Sequence, residues 1–174
     1  MPKPQWDPAL IVTDTREQAP LFVDLRAVTL KTGDYSIVGF EKIMAVERKS
    51  IADLIGSVGK GRARFLREIR RLAKFKYPAI LVEGTPRAIL AAPHFGRVTG
   101  KVALATLISW SAVYRLPVLY ADDRYMARYM TSAFLRFAWE QEVIGRHDTI
   151  DPCECGGGSV VKHSANCKEG TDVT

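Results

Sequence analysis

Gly33-Asp34-Tyr35, followed by Glu47-Arg48-Lys49-Ser50-Ile51-Ala52-Asp53, sets carboxylates and cations into segments that otherwise read as strand. Asp34 to Val38 and Lys42 to Lys49 predict two strands, joined through Gly39 in the manner of a hairpin. Side chains alternate along a strand, so Glu47 and Lys49 share one face and Arg48 takes the other. If the two strands pair, Asp34 lies across from the Glu47 face. Two carboxylates so close form a hard, oxygen-rich site suited to Mg2+ or Mn2+. An amine beside them can orient a nucleophile or stabilise negative charge developing on a phosphate. Acid and lysine pairs on strands also occur on solvated faces, so this spacing by itself leaves an ordinary surface strand open.

Working outward, Leu10 to Asp14 predicts a short buried strand ending in an acid, and Thr15 to Lys31, which contains Pro20, reads as irregular. Downstream, Ser50 and Asp53 form an N-cap pair for a helix with Ile51, Leu54 and Ile55 on its apolar face, stopping near Gly56. A glycine-spaced loop from Gly56 to Gly61 leads to a basic helix in which Phe65, Ile69, Leu72 and Ala73 fall at helical spacing. A buried strand from Ala79 to Glu83 follows, then a short helix over Pro86 to Ala91 and an apolar helix over Lys101 to Tyr114. A strand over Val118 to Ala121 and a long helix over Asp122 to Glu142 complete the domain. This alternation predicts an α/β fold.

Asp14-Thr15-Arg16-Glu17, Gly33-Asp34-Tyr35 and Glu47-Arg48-Lys49-Ser50-Ile51-Ala52-Asp53 resemble, in that order, the signature of the XPF-type structure-specific endonucleases, G-D, a gap, then E-R-K-x-x-x-D. The resemblance continues through Gly61-Arg62, Arg64-Phe65, Glu68 and Arg71-Leu72 to the Leu81-Val82-Glu83 strand, and covers roughly residues 10 to 140. It implies a restriction-endonuclease-like core, a central mixed sheet flanked by helices, and a metal-dependent DNA endonuclease of the PD-(D/E)xK superfamily acting in repair, recombination or the processing of replication intermediates. By the same resemblance Asp34 and Glu47 are Mg2+ or Mn2+ ligands and Lys49 is the catalytic lysine. Asp14 and Glu17 extend the acidic cluster, Asp14 as a further ligand. Asp53 supports the cluster, holds Arg48 or Lys49, or simply starts its helix where the dipole favours an acid. Arg16 contacts phosphate or pairs with an acid. Glu83 is the weaker candidate, an acid at a strand end. Larger members of the family carry a tandem helix-hairpin-helix module that the resemblance here does not include.

Between Lys60 and Lys76 stand Lys60, Arg62, Arg64, Arg67, Arg70, Arg71, Lys74 and Lys76 against the single acid Glu68. With a net charge of +6, this points to a polyanion, DNA first, although charge runs are also ordinary solvated faces. Arginine spans phosphates with two hydrogen bonds. Such contacts position a duplex without reading its bases, so recognition by structure is expected. Arg62 and Arg64 are the first expected phosphate contacts, with Arg16, Lys60, Arg67 and Arg71 beside them.

The nuclease domain is expected over residues 1 to 146, followed by a small tail over 147 to 174 in which Cys153, Cys155, His163 and Cys167 can close a structural Zn2+ site. The single residue between the first two cysteines departs from common zinc spacing, and a tail without fixed structure is the alternative. All three cysteines lie in that tail, so no disulfide framework is expected in the main domain. No signal or transit peptide is indicated, the longest apolar run is too short for a bilayer, and a cytoplasmic or nucleoid-associated protein is expected. Tyr125, Met126, Tyr129, Met130, Leu135 and Phe137 give the last helix a broad apolar surface, expected to pack on the core; the family resemblance adds a homodimer, for which this helix is a candidate surface. Two other readings stay open. One is a catalytically silent DNA-binding subunit supporting an active partner, and the other is a protein-interaction module.

Overall fold

A computed structural model describes residues 4–93 and 98–145. A short 3-10 turn over Pro8–Leu10 leads into strand β1 (Ile11–Asp14), then β2 (Ala27–Val28), β3 (Tyr35–Ile37) and β4 (Met44–Ser50). Helices α1 (Ile51–Val58) and α2 (Arg62–Leu72) follow, then β5 (Tyr77–Glu83), α3 (Pro86–Ala91), α4 (Gly100–Tyr114), β6 (Val118–Ala121) and α5 (Arg124–Ile144). The six strands form one mixed sheet in the order β2-β1-β3-β4-β5-β6. β1, β3 and β4 run antiparallel to their neighbours in turn, and β4, β5 and β6 run parallel, as connections through helices require.

The period-two alternation of β4 and β5 divides the apolar residues between two cores. Met44, Val46, Ala79 and Leu81, with Ile11, Tyr35 and Ile37, face Leu135, Ala138 and Trp139 of α5. Ala45, Ile80 and Val82 face Leu54 and Ile55 of α1, Phe65, Ile69 and Leu72 of α2, and Leu107 and Trp110 of α4. The sheet is therefore sandwiched between α5 on one side and α1, α2 and α4 on the other, the mixed-sheet α/β architecture that the family resemblance implies.

Several boundaries differ from those read in the sequence. The stretch over 15–31 is not wholly irregular: Ala27 and Val28 pair in parallel with Thr13 and Asp14, a two-residue edge too short to leave a period. Helix α1 runs through Gly56 to Val58, because Leu54, Ile55 and Val58 continue its buried stripe and tertiary burial outweighs the low helix propensity of glycine. β5 begins at Tyr77 and includes Pro78. The ring is tolerated because pairing with β6 starts only at Ile80, so no ladder bond on that side is lost. On α5 the core contacts are Ala127, Thr131, Leu135, Ala138 and Trp139, whereas Tyr125, Tyr129 and Phe137 are 77%, 62% and 54% exposed. The expectation that this aromatic surface packs on the core is met by Leu135 and Met130 but not by those three rings. Among the described residues, no helix is long and apolar enough to cross a membrane. The four zinc candidates, Cys153, Cys155, His163 and Cys167, and the domain boundary at 146 lie outside the described residues.

Two glycines calibrate how tightly the helical layer is packed. A Cβ on Gly100, at the start of α4, would stand 1.8 Å from the Ile89 carbonyl oxygen, whereas a Cβ on Gly56 would meet nothing within 4 Å. Gly100→Ala is expected to lower stability by about 2–3 kcal/mol through overpacking, while Gly56→Ala raises it by up to about 1 kcal/mol through helix propensity. Urea denaturation of both variants checks this, and a neutral Gly100→Ala would show that α3 and α4 part without cost.

Candidate active site

The turn that opens the site depends on Gly33, whose φ of +80° suits glycine and whose added Cβ would lie 3.0 Å from that of Ala45. It delivers Asp34 directly beside β4. The backbone N–H of Asp34 donates to Val46 O at 2.8 Å, and Asp34 Oδ2 accepts from the backbone N–H of Arg48 at 2.7 Å. Tyr35 is the register partner of Val46, which sets Asp34 opposite Glu47, as the hairpin reading expects. Glu47 and Lys49 do share a face: Lys49 Nζ lies 2.7 Å from Glu47 Oε1 and 5.0 Å from the centre of the Phe65 ring on α2.

These charges sit where water is scarce. Burial and the neighbouring Glu47 push the Asp34 carboxyl up to about 8. Burial also raises Glu47, against the pull of the Lys49 ammonium. Burial alone would lower Lys49, but its pairing with Glu47 prevails and holds the ammonium above its ordinary value. Two acids that resist ionisation side by side, with one cation between them and solvent, form a site that gains from further positive charge.

Asp34, Glu47 and Lys49 line an open cleft of about 670 Å³, together with Asp14, Glu17, Asp53 and Glu68. Its rim carries cations from two parts of the chain: Arg16 and Lys31 from the segment joining β1 to β3, and Arg64 and Arg71 from α2. The two lining cations of α2 and Glu68 occupy one flank of the helix because Phe65, Ile69 and Leu72 turn inward. Lys31 carries no signal in the sequence, and Glu68 stands there only within the family resemblance and as the lone acid of the basic run, without a place in the site. The spacing of Arg64, Glu68 and Arg71 around the buried stripe is the signal that would have placed Glu68 there.

The remaining candidates divide by what holds them. Both oxygens of Asp14 are occupied: Oδ1 accepts from Arg16 N at 2.8 Å and Arg16 Nε at 2.7 Å, and Oδ2 from Arg16 Nη2 at 2.9 Å and Leu30 N at 2.7 Å. Burial would raise its pKa, but these bonds outweigh it and hold the carboxyl below the ordinary range. Asp14 is thus engaged as the anchor of Arg16, whose side chain is 68% exposed at the cleft, and the acid-pairing reading of Arg16 describes this geometry. Asp53 engages Ser50, whose Oγ accepts from Asp53 N at 3.1 Å and donates to Asp53 Oδ2 at 2.7 Å. It is a helix-start residue that also lines the cleft, and the expected hold on Arg48 or Lys49 does not form.

Arg48 turns to the other side of the sheet, as alternation requires. Its Nε and Nη2 donate to Glu83 Oε1 and Oε2 at 2.9 and 2.6 Å, and Nη1 approaches Glu17 Oε1 at 3.4 Å. Glu83 is therefore not a solvated strand end but the partner of a buried guanidinium. Arg62, a first expected phosphate contact, instead donates to Thr106 Oγ1 at 3.3 Å and stacks over Trp110 at 5.2 Å, which turns it toward α4. Arg64 lines the cleft, with Glu68 3.8 Å away, and Lys60 and Arg67 are exposed but do not line it. Among the described residues, no three His, Cys, Asp or Glu side chains converge as a metal-holding group. Asp34 and Glu47 form a pair.

The ERCC4 domain family model matches residues 13–133, more than half of the chain. Among solved structures, XPF from Aeropyrum pernix is similar at 23% identity with a TM-score of 0.58, covering 78% of this chain and 68% of that one. A second structure, XPF from Aeropyrum pernix in complex with DNA, is similar at 21% identity with a TM-score of 0.55, covering 75% of this chain and 64% of that one. The α/β/α sandwich is thus shared with those structures, and the ordered signature from Asp14 to Asp53 falls inside the matched region. The chain belongs to the ERCC4 domain family.

Proposed function

We propose that this chain is a divalent-metal-dependent DNA endonuclease, selective for DNA structure, that hydrolyses phosphodiester bonds. The observation that carries it is the pair of carboxylates, half-buried Asp34 and buried Glu47, with Lys49 Nζ 2.7 Å from Glu47 in a cleft also lined by Arg16, Lys31, Arg64 and Arg71. A cationic rim over an acidic floor suits a polyanion whose scissile phosphate must approach carboxylates. The donor set fits Mg2+ or Mn2+: the oxygens are hard, and burial has made both acids costly to ionise without a cation. Asp34 and Glu47 would hold the ion. When bound, it supplies charge neutralisation and an acidified water.

The protein's own contribution is positioning and charge. The Arg48 backbone N–H fixes Asp34, and the Phe65 ring and Glu47 fix the Lys49 ammonium, which faces the cleft as a preorganised cation for the developing negative charge. Arg16, oriented by its fork on Asp14, and Arg64 and Arg71 would grip the phosphates on either side. None of these contacts reads a base, which supports selection by structure. The DNA bound in the similar Aeropyrum pernix complex supports the same substrate class. We further propose pairing of two copies through the exposed rings of α5, and a structural Zn2+ on Cys153, Cys155, His163 and Cys167.

Cleavage of labelled flap, splayed-arm, four-way-junction and plain duplex DNA, with Mg2+, Mn2+ or chelator, tests the activity. Lys49→Ala is expected to cut at least about 100-fold more slowly while still binding DNA. A wild-type chain that binds these DNAs and cuts none with any metal would replace this reading with a silent DNA-binding subunit.

The raised Asp34 pKa gives a second test. An acid whose folded pKa exceeds its unfolded value contributes most to stability at low pH, and that contribution is lost as pH rises from 3.8 to about 8. The melting temperature of the metal-free wild type should therefore fall across this window relative to Asp34→Asn, with the gap levelling off above it. Mg2+ should recover the wild type and not the variant; parallel melting curves would show that Asp34 carries no buried charge.

Tyr129→Asp should convert a dimer to a monomer in sedimentation equilibrium without changing the melting temperature of the monomer. A wild type that sediments as a monomer at all concentrations tested would remove the pairing proposal.

A further inference from the structure

Arg124 occupies the first position of α5, where a cation opposes the helix dipole. A side chain placed against a local electrostatic preference calls for a compensating contact elsewhere. Its Nη2 donates to the carbonyls of Ala19 and Pro20, at 3.0 and 2.5 Å, and its Nη1 stands 3.7 Å from Glu83 Oε1. One turn along, Arg128 stacks on Phe22 at 5.3 Å. The first turns of α5 therefore grip the segment over 19–22, remote in sequence and attached directly after Glu17.

Glu17 is the acid that this segment carries into the cleft. Its Oε1 accepts from Ala19 N at 2.9 Å and faces Arg48 Nη1 at 3.4 Å, and its charge adds to the field on both Asp34 and Glu47. Ala19 is thus held from both sides, by Glu17 through its N–H and by Arg124 through its carbonyl. Glu83 stands between Arg124 and Arg48, and the backbone N–H of Arg48 holds Asp34. Two routes connect Arg124 to the acid pair, one through the backbone of the 17–20 segment and one through Glu83 and Arg48.

We infer that Arg124 is a positioning residue of the active site, clamping the wall that carries Glu17 so that its carboxylate adds to the cation-attracting field of Asp34 and Glu47. This rests on the metal-site reading above. Freed from Arg124, the segment loses two carbonyl contacts to α5 and keeps the Arg128–Phe22 contact, so Glu17 is held less firmly beside the pair.

The test is titration calorimetry with Mn2+ alone, without DNA, on the wild type, Arg124→Met, Glu17→Gln and the double variant, with hydrogen exchange at the Ala19 and Leu21 amides. Arg124→Met is expected to weaken Mn2+ binding about tenfold, Glu17→Gln by a similar factor, and the double variant by no more than the weaker single, since both act through one group. Exchange at Ala19 and Leu21 should rise in Arg124→Met. A purely structural role would lower the melting temperature and leave the Mn2+ affinity of the folded protein alone, and that result overturns the inference. Arg124→Lys keeps the charge near Glu83 but cannot fork across two carbonyls, so it should recover part of the affinity; if Arg124→Met does not fold, wild-type affinity in Arg124→Lys overturns the inference instead. A wild type that binds no Mn2+ overturns the metal-site reading together with this one, whereas binding that Arg124→Met leaves unchanged overturns this one alone.

Discussion

The fork between Arg48 and Glu83 joins the ends of the two longest strands by paired hydrogen bonds of 2.9 and 2.6 Å between side chains only 9% and 16% exposed. Removing one partner of such a pair leaves a buried charge uncompensated, at about 3–5 kcal/mol. Burial works against the guanidinium, yet Glu83 and Glu17 together hold its pKa above the ordinary value. With Arg48 pinned on the α5 side, the alternation of β4 commits Glu47 and Lys49 to the opposite side, and the Arg48 backbone N–H holds Asp34 beside them. An apolar residue at 48 would fill the space without joining Glu17, Glu83 and, through Glu83, Arg124.

The two faces of the sheet thereby handle charge in opposite ways. On the α5 side Glu83 meets Arg48 and Arg124, and Arg48 reaches Glu17 at the cleft as well. On the cleft side Asp34 and Glu47 share one ammonium between them, and both are raised by burial. The first arrangement stabilises the fold, whereas the second is a local deficit of positive charge that the well-packed sheet tolerates. Such deficits concentrate where a ligand is to supply the missing charge. The rim cations stand farther out, where solvent reduces their help to the floor but leaves them free for a polyanion.

What could be read from the chain follows the range of the interactions involved. The face shared by Glu47 and Lys49 needs only the period of a strand, and the cap at Ser50 needs only a residue three positions on, so both were legible. The two-residue β2 carries no period and was missed, and Gly56 looked like a helix end because its helical state depends on the burial of Leu54, Ile55 and Val58. Arg62 and Arg64 looked equivalent in a basic run. Only Trp110 and Thr106 on α4 separate them, drawing Arg62 away from the cleft that Arg64 lines.

The amino-acid sequence by itself determined the α/β alternation, the acid–lysine face of β4, the glycine turn that presents Asp34, and the basic stripe of α2, because each is set by residues close along the chain. The tertiary structure alone decided that Asp14 serves Arg16 and Leu30 N–H, that Glu83 serves Arg48, that Glu68 and Lys31 reach the cleft, and that Arg124 grips the segment behind Glu17. These are pairings between groups far apart in the chain. A carboxylate has the same sequence signature whether a guanidinium lies against it or not, and only the packing of α2 and α5 on the sheet settles which acids are neutralised and which are left to meet a cation.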